Sequence, residues 1–374
     1  MLPSILAAEI RASTRHFLVS AYEASDPFFH GLVRRFVEQP DSLDKGPWLQ
    51  LGLPFRPGAE GNGFFGDFAL PHPGYAHQEA AWRRLASNRE AANTLVATGT
   101  GSGKTECFLY PVLDHCRREH AAGRGAGIKA LVIYPMNALA TDQARRFAEV
   151  VASTPAFAGL RVGLYVGGGG KAGGEKTMSA TSVITDRDTL RKSPPDVLLT
   201  NYKMLDYLLV RPKDRPLWAG NGPGTLRYVV VDELHTFDGA QGTDLALLLR
   251  RLRARLGTPE GGLVCAGTSA TLGDGDTLPL RDYASQIFGA PFPEEAVITE
   301  RRDSVAEFLG DQPIVHFLSP QENLEALLNP ASYPGPEAAI AAWFRLFFPG
   351  EPEPTDVAEP AWRQQLGQAL KQHL

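Results

Sequence analysis

Two short stretches of the 374-residue sequence carry residue types suited to chemistry on a phosphate. The first, Asn93-Thr94-Leu95-Val96-Ala97-Thr98-Gly99-Thr100-Gly101-Ser102-Gly103-Lys104-Thr105, is an apolar run that enters a glycine-rich turn and ends in Gly-Lys-Thr. Glycines there let backbone amides converge on an anion, and a helix beginning at the lysine adds the positive end of its dipole. On that reading Thr100, Gly101, Ser102, Gly103, Lys104 and Thr105 cradle ATP, with Lys104 on the β- and γ-phosphates and the Thr105 hydroxyl on Mg²⁺. The order departs from G-x-x-x-x-G-K-[ST] at one place, where Thr98 stands for the first glycine. The second stretch, Val229-Val230-Val231-Asp232-Glu233-Leu234-His235, runs three β-branched residues straight into two carboxylates. A carboxylate at the end of a buried strand is costly unless a cation compensates it. With a phosphate loop upstream, Asp232 is expected to hold the Mg²⁺ and Glu233 to polarise an attacking water. The metal and Lys104 are expected to keep the pKa of Asp232 low. Lys104, Asp232 and Glu233 form the candidate catalytic set.

These residues need a rigid scaffold, and the sequence offers one. Apolar runs of strand length at 94–97, 131–134, 162–166, 197–199, 228–231 and 263–266 alternate with longer amphipathic segments. Continuous apolar strands between helices predict a parallel sheet covered on both faces, an α/β doubly wound domain. Residues 1 to about 40 show helical spacing and 48–68 read as loop and turns, giving an expected N-terminal helical extension over 1–60. The ATP-binding domain is expected over 61–275, followed by a mostly helical segment over 276–374. Within it, 337–347 and 360–374 read as helices. The last helix meets the terminus with no glycine stop, so an incomplete segment is expected. The glycine-rich run 166–176 lacks the G-x-G-x-x-G order that opens a helix and reads as a surface loop.

Composition narrows the classes. Hydrophobic content of 43% and charged content of 21% suit a globular chain that buries a full core. A net charge of -5 argues against a generally basic nucleic-acid binder but leaves room for a local basic groove. Cys107, Cys116 and Cys265 form no C-x-x-C pair, and with no cationic apolar leader a reducing, cytoplasmic compartment is expected. No window approaches the ~18 apolar residues of a membrane span. His115 with Cys107 and Cys116 reads as core rather than a metal site, and Arg250, Arg251, Arg253 and Arg255 as a solvated helix face. Phe64, Phe65 and Tyr75 are open to stacking on a base or to ordinary packing.

Taken in order, these pieces resemble the superfamily 2 helicases of the DEAD/DEAH type, whose motif II reads D-E-x-H, here Asp232-Glu233-Leu234-His235. Tyr75-Ala76-His77-Gln78 resembles their Q motif, which implies that Gln78 reads the adenine edge. Residues 134–143 resemble motif Ia and 199–205 motif Ib, which implies that Pro135, Asn137, Gln143, Thr200 and Asn201 line a single-strand track. Ser269-Ala270-Thr271 resembles motif III; the resemblance gives Ser269, Thr271 and His235 a role in coupling hydrolysis to strand movement. Residues 199–206 and 269–273 are similar to the mitomycin-repair-type helicases and the large helicases of anti-phage islands such as DISARM and Druantia. That branch implies a RecA-like first motor domain, DNA as the partner and defence-system proteins nearby, with RNA left open. The family also needs a second RecA-like domain with a Q-x-x-G-R-x-x-R motif, and none is found after residue 275. The expectation is an N-terminal motor half that hydrolyses ATP slowly by itself; the alternative is a nucleotide-dependent loading module for a nuclease or methyltransferase.

Overall fold

The apolar runs form strands β1 (Thr94–Ala97), β2 (Ala130–Tyr134), β3 (Val162–Tyr165), β4 (Val197–Asn201), β5 (Tyr228–Val231) and β6 (Val264–Ser269). A short strand, β7 (Val297–Thr299), joins them. The architecture is that of a computed structural model describing residues 3–39, 42–43, 52–167, 174–270, 276–304, 307–308, 329 and 332–347. The seven strands make one sheet in the order β3-β4-β2-β5-β6-β1-β7, and every neighbouring pair runs parallel. Parallel neighbours need crossover connections, and the helices that supply them, among them the short α6 (Arg187–Lys192) between β3 and β4, cover both faces.

Side-chain alternation divides the core. Ile133, Val229 and Val231 point into one apolar layer with Leu205 and Leu208 of helix α7 (Tyr202–Val210), Leu245 and Leu249 of α8 (Gly239–Leu256), and Ile287 of α9 (Leu278–Phe288). Val132, Tyr134, Tyr228 and Val230 point into the other, with Trp82 and Leu85 of α3 (Ala76–Leu85), Phe108 and Leu113 of α4 (Lys104–Ala121), and Phe147 of α5 (Asn137–Ser153). This is the doubly wound, RecA-like arrangement. Helix α3 matters most for the site. Trp82 is buried and its Nε1–H donates to Glu106 O at 2.9 Å, locking α3 against α4. Truncating such a side chain costs about 3–5 kcal/mol.

Contacts group Phe55–Arg302 into one compact unit. The sheet-bearing unit thus starts before residue 61 and runs past 275, because β7 pairs onto β1 and α9 packs on the α8 side. The second unit comprises the segments before Phe55 and after Arg302. It contains α1 (Pro3–Ala21), α2 (Leu32–Val37) and a helix over Pro336–Phe347. The helix expected over 360–374 and most of the glycine-rich run, 168–173, lie outside the described residues. Among those described, no helix is long and apolar enough to cross a membrane.

Candidate nucleotide and nucleic-acid site

The C-terminal ends of the parallel strands gather the candidate residues on one edge of the sheet. β1 ends at Ala97, the loop turns through Gly101 (φ 80°) and Gly103 (φ 76°), and α4 starts at Lys104. A Cβ on Gly103 would lie 2.3 Å from Gln78 Nε2, so a side chain there would displace the Gln78 amide, and at φ 76° its backbone would be strained as well. Thr98, the departure from the usual first glycine, has a physical role: its Oγ1 lies 2.6 Å from Ser102 Oγ, and both groups are buried. The hydroxyl pair braces the turn from inside. Lys104 Nζ donates to Thr98 O at 3.3 Å and lies 3.5 Å from Glu233 Oε1.

β5 delivers the acidic pair. Its parallel neighbour β6 sets Val231 beside Gly267, which brings Thr268 alongside the carboxylates. Thr268 Oγ1 donates to Asp232 Oδ1 and accepts the Glu233 N–H at 2.9 Å. Glu233 sits at φ 50°, ψ 51°, the one non-glycine with positive φ among the described residues. Such a conformation costs of order 1–3 kcal/mol and persists where neighbours enforce it, typically at functional sites. The Asp232 carboxyl, expected to be held low by a metal and Lys104 together, is not held low by Lys104 alone. Burial pushes its carboxyl up, and the Glu233 charge adds to this; the Thr268 hydrogen bond and Lys104 only partly offset them. Lys104 spends its charge on Glu233 instead.

Glu233 Oε2 is shielded from solvent with no hydrogen-bond partner; His235 Nδ1 lies 3.5 Å from it. A buried carboxylate oxygen without a donor, next to a second carboxylate that burial disfavours, is a donor set that a cation would relieve. Among the described residues no three His, Cys, Asp or Glu side chains cluster for a metal. Mg²⁺ takes one or two protein oxygens and completes its shell with phosphate and water. Thr105 Oγ1, the other candidate ligand, donates to Gln143 Oε1 at 3.0 Å.

Gln78 spans two backbones: Oε1 accepts from Tyr75 N at 2.9 Å and Nε2 donates to Gly103 O at 3.2 Å. Its neighbour His77 was given no role by the sequence, yet its buried Nε2 lies 2.8 Å from Ser102 O. Phe64 and Phe65 pack around Trp82 as core, whereas Tyr75 is exposed and stacks on His77 with ring centroids 5.7 Å apart. His235 Nδ1 lies 3.3 Å from Ser269 Oγ, which joins the acidic pair to β6; Thr271 lies outside the described residues.

The candidate nucleic-acid residues divide. Asn201 Nδ2 donates to Asn137 Oδ1 at 2.5 Å, bridging the ends of β4 and β2, and Asn137 Nδ2 donates to Gly167 O at 3.1 Å. With Pro135, Lys203 and Tyr207 they line an open cleft of about 510 Å³. Thr200 does not join them: it is 0% exposed, and its hydroxyl donates to Tyr165 O at 2.6 Å. Gln143 faces Thr105 and so belongs beside the phosphate loop. Sequence reasoning missed Thr268, His77 and Glu300, whose carboxylate accepts the Gly99 N–H at 2.8 Å. Cys107, Cys116 and Cys265 are free, buried thiols whose pKa burial raises.

A doubly wound parallel sheet with a glycine-rich loop opening onto a helix, and an acidic pair on the next strand but one, defines a P-loop nucleotide-binding domain of RecA-like type. Residues 75–277 match the model of the DEAD/DEAH box helicase family, and the chain belongs to that family, as a nucleic-acid helicase motor domain. It is 24% identical over 369 residues to the Druantia protein DruE of Escherichia coli, an alignment covering 69% of this chain and 20% of that protein. It is 31% identical over 172 residues to the ATP-dependent helicase Lhr-Core of Methanothermobacter thermautotrophicus, covering 44% of this chain and 18% of that protein. Among solved structures it is similar to the DUF1998 helicase MrfA bound to DNA, with 24% identity, a TM-score of 0.43, and coverage of 60% of this chain and 27% of that one. The chain spans about a fifth of the length of the two curated relatives.

Proposed function

We propose that the chain is the ATP-driven half of a DNA helicase or translocase. Lys104 and the loop 98–105 bind the triphosphate, Thr105 and Asp232 hold Mg²⁺, and Glu233 orients the attacking water. The observation that carries this reading is the meeting of Lys104 with Glu233, whose second carboxylate oxygen has no hydrogen-bond donor. Bound Mg²⁺ would neutralise the charge that develops on the phosphate oxygens. The chain's own residues supply the rest. Thr268 fixes the backbone of Glu233, His235 joins it to Ser269, and the buried Thr98–Ser102 pair braces the loop.

Asn137 and Asn201 place the single strand across the ends of β2 and β4, on the same edge of the sheet as the phosphate loop. DNA is the proposed track because residues 199–206 and 269–273 resemble the mitomycin-repair-type branch. A role in genome defence is proposed on the similarity to the Druantia protein. A second RecA-like domain, contributing an arginine to the γ-phosphate, is proposed to complete the site. The deciding experiment measures ATP hydrolysis by the chain alone and with single-stranded DNA or RNA. Glu233→Gln is expected to keep ATP binding and lose turnover about 100-fold or more, the size of a general-base contribution. Undiminished turnover in that variant refutes the role given to Glu233. Binding of DNA without any hydrolysis, even with a second motor domain supplied, would favour a loading module instead.

A further inference from the structure

The mechanism leaves one charged pair beside the phosphate loop unused. β7 pairs with β1 up to Thr299, opposite Ala97, where β1 hands over to the loop. One residue later, Glu300 Oε2 accepts the Gly99 N–H at 2.8 Å, and Oε1 accepts from Arg302 Nε at 2.8 Å. The Arg302 guanidinium lies 4.0 Å over the ring of Phe55. Phe55 in turn packs against Tyr75 and against His77, whose Nε2 meets Ser102 O. The loop is therefore gripped from outside near both ends: at Gly99 by Glu300, and at Ser102 and Gly103 by His77 and Gln78.

A carboxylate beside a site for a polyanion has the wrong sign for binding, so its presence needs a reason. Burial alone would raise the Glu300 carboxyl, but the Arg302 and Gly99 hydrogen bonds and the Arg302 charge hold it below the usual range. It stays ionised, and an ionised acceptor holds an N–H more strongly than a neutral one. Its charge is answered locally by a guanidinium that is itself fixed on an aromatic face.

We propose that Glu300 is a positioning residue for the Gly99 end of the phosphate loop, and that Arg302 masks its charge from the triphosphate. The inference rests on reading residues 98–105 as the ATP site. It makes nucleotide affinity depend on a strand end far along the chain, and it predicts a dependence on ligand charge that plain structural support would not give. With Arg302 removed, the bare carboxylate repels ATP more than ADP, and ADP more than AMP. Removing the charge of Glu300 then restores binding.

The test titrates the full chain with a fluorescent ATP analogue and displaces it with ATP, ADP and AMP, with circular dichroism confirming the fold of each variant. Lys104→Ala is the control; if it binds ATP like the wild type, the ATP-site reading itself fails. Given that it does not, Glu300→Ala is expected to weaken ATP about 5- to 10-fold, at the low end for a charge-assisted bond that is partly exposed. Glu300→Gln, which keeps an acceptor for Gly99, is expected to stay within about twofold of wild type. Arg302→Met is expected to weaken the three nucleotides in the order of their charge, and Arg302→Met with Glu300→Gln to recover most of the loss. Equal weakening of ATP, ADP and AMP by Arg302→Met, or a double variant no better than Arg302→Met, overturns the masking role. Wild-type affinity in Glu300→Ala overturns the positioning role.

Discussion

Thr268→Val is the most revealing single change, because it alters one atom's chemistry at nearly constant shape. The hydroxyl serves two groups at once, donating to buried Asp232 and accepting from the Glu233 N–H. A hydrogen bond to a charged group contributes about 1.5–3 kcal/mol and a neutral one about 0.5–1.5 kcal/mol, and a valine leaves both partners buried and unpaired. Asp232 can relieve its share by taking up a proton, since burial already favours the neutral form. A net loss of about 2–4 kcal/mol follows for the ligand-free chain, which lowers Tm by about 5–15 °C for a domain of this size. Glu233 holds a left-handed backbone against its own preference. Freed from Thr268 it can relax, and a displacement near 1 Å costs about 10- to 100-fold in turnover. The assay pairs urea unfolding with steady-state ATP hydrolysis, beside Thr268→Ser, which keeps the hydroxyl and should behave as wild type. If Thr268→Val unfolds within about 1 kcal/mol of wild type and turns over at the same rate, the bridging hydroxyl does not hold the acidic pair.

Two further predictions concern stability and the single-strand cleft. Burial holds the His115 imidazole down to about 4, and its ring packs edge-on against Tyr228. A lowered folded pKa means stability is fully present above the unfolded value of 6.5 and is lost as pH falls toward 4. The ceiling is about 3 kcal/mol at ~1.36 kcal/mol per unit. His115→Phe should therefore flatten the difference in unfolding free energy between about pH 7 and about pH 5, leaving the smaller share of His77, also lowered by burial. An unchanged difference refutes the assignment. Asn201 both caps α7, with Oδ1 accepting from Met204 N at 2.7 Å, and bridges to Asn137. Asn201→Ser keeps a cap but loses the bridge, so it should weaken binding of a fluorescent single-stranded DNA while holding Tm within about 2 °C; Asn201→Ala should lose about 1 kcal/mol of stability as well. Wild-type affinity in both variants would remove the Asn pair from the track.

The phosphate loop and the acidic pair were legible because each is contiguous: a strand, a turn and a helix start written in successive residues, and a run of valines ending in Asp232. The parallel sheet was legible for the same reason, one apolar run at a time. What the sequence hid is what the strand order creates. With β6 inserted between β5 and β1, Thr268 stands beside Asp232 across 36 residues and Ser269 beside His235 across 34. Glu300 reaches Gly99 across 201 residues, because a three-residue strand with no continuous buried run adds to the β1 edge. Neither spacing nor composition marks such partners, since a threonine or glutamate at a strand end has a dozen ordinary uses. Alternation explains the misplaced Thr200: it precedes Asn201 by one residue, so its side chain takes the opposite face and meets Tyr165 in the interior. The raised Asp232 pKa has the same origin. Burial at the end of β5, with Lys104 3.5 Å from Glu233, raises the Asp232 carboxyl among its own neighbours, and lowering it is the share the sequence reading gave to the metal. The residues proposed to do chemistry are thus written locally, and those that brace them are written in the topology. It follows that variants at Thr268 and Glu300 test the assembled fold more directly than variants at Lys104, whose role any phosphate loop would share.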